Sequence, residues 1–177
     1  AGACSAKIEG RMKRPEYVAA AVAACRHAAD GEEVPPGLLE KLEAFVDTDD
    51  LEYEMDGIMA RIESLGGGPE LAPCFLAMME RHPLANFGCP GAIVHFVERA
   101  YGQGKEAQEE YDWMVAASVR RRPALHTLWM LNRIINVSQG ERREELLAIF
   151  RDIVENPAWE EPVRNSARDF LEYQDQK

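Results

Sequence analysis

The chain has 177 residues, 46% of them apolar and 8% aromatic, with a formal charge of −11. That length and apolar content suit one domain with a single sizeable core. The charge argues against nucleic acid and anionic membrane surfaces, because phosphate backbones and acidic headgroups are held by Lys and Arg that displace counterions. A basic protein partner is the class such a surface favours, although many solvated proteins are simply acidic.

The first residues, "AGACSAKIEGR", stand apart from the rest. Ile8-Glu9-Gly10-Arg11 is similar to the factor Xa cleavage sequence, so residues 1–11 are expected to be an expression-tag remnant preceding a start at Met12. Residues 12–177 are then expected to form a single α-helical repeat domain, with 18 Lys and Arg against 30 Asp and Glu, a charge of −12. After Met12, "KRPEYVAAAVAACRHAADGEE" resembles no secretory signal, and its small-residue run is too short to span a bilayer. Cys25, Cys74 and Cys89 form no CxxC pair, which fits core thiols in a reducing cytoplasm.

Periodicity predicts helices from end to end. "PEYVAAAVAACRHAADG" opens with Pro15 in a first turn and closes at Gly31. "GLLEKLEAFVD" and "LEYEMDGIMARIESLGGG" place apolar residues at helical spacing. "ELAPCFLAMMERHP", "PGAIVHFVERAYG", "KEAQEEYDWMVAASVRRRP", "ALHTLWMLNRIINV", "ERREELLAIFRDIVENP" and "EPVRNSARDFLEYQ" continue the pattern. No segment sustains alternation at period two, so the class is all-α, with about nine helices. "ALHTLWMLNRIINV" is apolar on nearly every side and is therefore expected at the centre.

A weak internal repeat underlies the helices. Pro83, Pro123 and Pro157 each end one helix, spaced by 40 and 34 residues, and each is followed by a second apolar helix. Counting back 33 from Pro83 reaches Asp50, where "FVDTDD" ends another. Such periods belong to stacked helix pairs, here a HEAT-like right-handed α-solenoid. An irregular helical bundle whose loops happen to recur is the competing architecture.

The run "DTDDLEYEMD", residues 47–56, raises three readings. A calcium EF-hand loop needs an oxygen ligand at its fifth position, Gly at its sixth and Glu at its twelfth; starting at Asp47, those places hold Leu51, Glu52 and Ile58. Helix-start chemistry explains Asp49 as a cap, with Asp50 and Glu52 opposing the helix dipole. It leaves a surplus. At 100° per residue, Glu52, Asp56 and Glu63 fall within about 40° of one another, with Tyr53 among the charges. That surplus reads as a partner-facing rim, against the alternative of a solvated face. In "KEAQEEYDW", Glu106, Glu109, Glu110 and Asp112 bracket Tyr111 and Trp113. The pattern suits an interface, where aromatics supply area and charge supplies encounter rate. In the bland version both rings point inward, and this is the expectation for Trp113, while Tyr111 is equally open to either side.

Enzyme signatures are absent. His27, His82, His95 and His126 form no metal-spaced pair, and His95 and His126 are expected as buried, hydrogen-bonded core residues. There is no nucleophile elbow, P-loop or dinucleotide fingerprint. "GGG" and "GQG" end helices, Cys89 precedes a helix without a sequence-local base, and Arg120-Arg121-Arg122 suits a helix C-terminus. No catalysis, cofactor or metal is expected.

"FGCPGAIVHFVERAYG", "HTLWMLNRIINV" and "ARDFLEY" together resemble the all-helical, HEAT-like immunity proteins of bacterial polymorphic toxin systems of the contact-dependent-inhibition, Rhs or type VI effector type. The resemblance covers roughly residues 69–173 and rests on helix phase rather than a strict motif. It implies a cytoplasmic protein that binds one cognate toxin domain and blocks its active site or substrate groove. Many such toxins are basic, in agreement with the charge. No contact residues are carried over. The residues themselves nominate Asp47, Asp49, Glu52, Tyr53, Asp56 and Glu63, then Glu106, Glu109, Glu110 and Tyr111, as partner-binding. A HEAT-like adaptor for another protein is the alternative.

Overall fold

The computed structural model describes residues 37–44, 46, 51–65, 67–88, 90–101 and 104–176. Every element among them is helical: α1 (Leu38–Ala44), α2 (Leu51–Ser64), a 3-10 turn (Pro69–Leu71), α3 (Ala72–Arg81), α4 (Ala92–Tyr101), α5 (Lys105–Arg121), α6 (Leu125–Val137), α7 (Gly140–Glu155) and α8 (Glu161–Asp175). The all-α expectation holds for these residues. The helix expected around Pro15–Gly31 and the Asp49 cap lie outside them.

The prolines set the helix ends. α3, α5 and α7 stop at Arg81, Arg121 and Glu155, each two residues before Pro83, Pro123 or Pro157. A proline ring forces the residue before it out of the helical region. Arg122 (φ −157°, ψ 103°) and Asn156 (φ −89°, ψ 106°) are extended accordingly. A second helix follows each turn, so the helix–turn–helix phase read from the sequence recurs.

The described chain divides into two compact units, with a boundary inside α3 after Ala77. The first comprises the described residues up to Ala77 and Phe87–Ala100. Here α1 packs on α2. Met55, Ile58, Met59 and Ile62 form the buried stripe of α2, and Phe75 of α3 meets Phe96 of α4 edge-on at 5.2 Å between ring centroids. Ahead of α4, Gly88 (φ +91°) and Gly91 (φ +80°) adopt backbone conformations that side chains disfavour. A Cβ on Gly91 would lie 1.7 Å from the Phe87 carbonyl oxygen. Only glycine fits there.

The second unit comprises Met78–Asn86 and the described residues from Tyr101 onward. α6 packs against α5, α7 and α8, and Leu128, Met130, Leu131 and Ile135 are fully buried in it, so within this unit the central placement holds. Buried Thr127 satisfies its hydroxyl by accepting the Ala124 N–H at 3.0 Å. On α8, Val163, Ala167, Phe170 and Gln174 make one stripe at helical spacing, and Phe170 stacks on Phe150 of α7 at 5.7 Å. Gln174 is 4% exposed and fully engaged: it donates to Asn132 and Asn136 at 2.7 Å each and accepts from Arg143 at 2.8 Å. Glu80, at the end of α3, accepts from Ser118 at 2.6 Å and Arg121 at 2.7 Å, joining that end to the end of α5. Arg122 in turn reaches Glu160 at the start of α8, at 3.2 Å.

Candidate functional site

On α5 the buried residues are Tyr111, Asp112, Met114, Val115, Ala116, Ser118 and Val119. Projected at 100° per residue, they span one arc whose centre lies about 160° from residue 113. Trp113 is consequently 71% exposed. Glu110, Glu109 and Glu106, at three, four and seven residues before it, are exposed on the same face, and Arg120 lies seven residues after it. Carboxylates early and a cation late suit the helix dipole. Nothing in helix chemistry requires an indole in water among them.

This corrects the aromatic assignment. Tyr111, nominated for a partner, is 5% exposed and its ring belongs to the core, while Trp113, expected inside, is the exposed ring. Asp112 also leaves the acidic surface: it is 7% exposed, takes a hydrogen bond from Gln108 at 2.8 Å and pairs with Arg142 of α7. Of the other carboxylates, Glu109 has a loose partner in Lys105 at 3.6 Å, both largely solvated. Such a pair contributes at most about 1 kcal/mol and leaves the glutamate accessible.

The first acidic cluster is described in part. Asp47 and Asp49 lie outside the described residues, as do the side chains of Glu52 and Tyr53. Asp56 and Glu63 are exposed, two turns apart on α2, and both line one open cleft of about 850 Å³ between α2 and α4. Met55 and Met59 line it too, at 1% and 3% exposure, and α4 contributes His95, Glu98 and Arg99. Glu63 forms an ion pair with Arg99, so it is a partnered carboxylate rather than a free charge on the expected rim. Among the described residues Asp56 has no ion-pair partner.

His95 is exposed in that cleft, against the expectation of a core histidine, because Ile93, Val94, Phe96 and Val97 take the buried arc of α4. His126 is half-buried, and Cys74 is a buried thiol as expected. Cys25, His27 and Cys89 lie outside the described residues. No group of His, Cys, Asp and Glu among the described residues could hold a metal ion, and no described helix is long and apolar enough to cross a membrane.

Compared with protein-family models, with curated proteins and with solved structures, the chain finds no match.

Proposed function

We propose that this protein works by binding, as a cytoplasmic immunity protein that neutralises a cognate, basic toxin domain by covering its active site or substrate groove. The single observation behind this reading is Trp113, 71% exposed on a face shared with Glu106, Glu109 and Glu110. An indole docked into a partner removes roughly 150–250 Å² of aromatic surface from water, and tryptophan is the residue type most enriched among interface residues that dominate affinity. The surrounding carboxylates speed encounter with a positive partner and fix its orientation. The overall charge of −11 points to the same partner class.

The scaffold we propose is a HEAT-like stack of helix pairs. The recurrence of helix ends before Pro83, Pro123 and Pro157 supports it, as does the Glu80 link between the ends of α3 and α5. In this arrangement the chain carries no chemistry of its own.

Co-expression with the C-terminal domain of any secreted effector found encoded beside this chain is the test. Restored growth, lost again on Trp113→Ala with Glu109→Lys and Glu110→Lys, supports the reading. No rescue, together with stable binding to a different protein, moves the chain to the adaptor class.

A further inference from the structure

α6 and α8 are held in the second unit by different forces. α6 is held by apolar burial, through Leu128, Met130, Leu131 and Ile135, all shielded from solvent. α8 buries only three side chains, Val163, Ala167 and Gln174, and one of these is polar. Its apolar hold is therefore two small side chains and the half-buried ring of Phe170 against Phe150. Apolar stabilisation scales with the area removed from water, so this hold is weaker than that of α6.

Polar contacts fasten α8 at its two ends. At the C-terminal end, the Gln174 amide donates to Asn132 and Asn136 of α6 at 2.7 Å each. Arg143 of α7 donates to the side-chain oxygen of Gln174 at 2.8 Å and to its backbone oxygen at 3.2 Å. One guanidinium thus serves a buried amide and a last-turn carbonyl, where a cation also opposes the helix dipole. At the other end Glu160 pairs with Arg122 at 3.2 Å, a partly solvated and weaker fastening. Between them Arg164 opposes closure: its Nε is buried with no hydrogen-bond partner among the described residues, and it regains water when the helix lifts. We infer that α8 is a strap, which releases as a unit while α5, α6 and α7 stay folded. Its 15 residues make a helix that is marginal alone in water, so release exposes its amides. The strap does not depend on the binding role proposed above.

Amide hydrogen exchange of the intact protein, read by mass spectrometry without denaturant, is the test. The expected result is exchange about tenfold or more faster at residues 167–175 of α8 than at residues 128–135 of α6. Gln174→Leu leaves Asn132 and Asn136 facing an apolar group; it should speed exchange in α8 about tenfold further and in α6 by less than about twofold. Arg164→Met keeps a long side chain without the unpaired donor and should slow exchange in α8 about threefold, a gain that a misfolded variant cannot imitate. Equal exchange in α6 and α8 of the intact protein would overturn the strap, as would equal acceleration of both helices in Gln174→Leu. Unchanged exchange of α8 in Gln174→Leu, or no slowing in Arg164→Met, would equally overturn it.

Discussion

On α2, Asp56 and Glu63 stand beside buried methionines and share a cleft with α4; on α5, Glu106, Glu109 and Glu110 surround an indole in solvent. Both stretches carry carboxylates interleaved with aromatics, and both look like the same kind of surface in the sequence. They differ in where the apolar groups go. α2 turns its methionines inward and offers a concavity, whereas α5 turns Tyr111 inward and offers a projection, Trp113. Under the proposed binding role, a projecting anchor such as Trp113 enters a pocket on its partner.

The largest effect expected is at Gly91, just ahead of α4. Gly91→Ala places a Cβ 1.7 Å from the Phe87 carbonyl oxygen at φ +80°, and should cost about 3 kcal/mol or more in urea unfolding. Next comes Asp112→Ala on the convex side, which removes the buried partner of Arg142 and Gln108. It should destabilise by about 2 kcal/mol, measured the same way. Its neighbour separates structure from function: Trp113→Ala should change stability by less than about 0.5 kcal/mol, because the ring is in solvent. Glu109→Lys with Glu110→Lys should leave stability similar and slow association with the proposed toxin partner about tenfold at low salt, a difference that shrinks as salt rises. The smallest effect is Glu63→Gln, where an exposed ion pair is lost for less than about 1 kcal/mol.

Much of the fold was legible because its causes are local. Helix ends before Pro83, Pro123 and Pro157 follow from ring sterics, and the burial of α6 follows from the absence of a polar face. The two errors at the candidate site have one origin. Trp113 and His95 sit about 160° and about 180° from the centres of the buried arcs that their helix neighbours define. Projecting Met114, Val115 and Val119 would have placed Tyr111 inside and Trp113 outside, and projecting Ile93, Val94 and Val97 would have exposed His95. Residue type was weighed where helix phase decided. The Glu63–Arg99 and Asp112–Arg142 pairs had no such signal, since their partners are 36 and 30 residues apart and meet only through tertiary packing.

The most direct measurement of the proposed binding role is the dissociation rate from the proposed toxin-domain partner, for the intact protein and for Trp113→Ala at the same salt. An indole seated in the partner's pocket predicts at least a tenfold faster dissociation for the variant, with the association rate little changed. Identical dissociation rates would contradict it, and the exposed ring of α5 would then have no part in the contact.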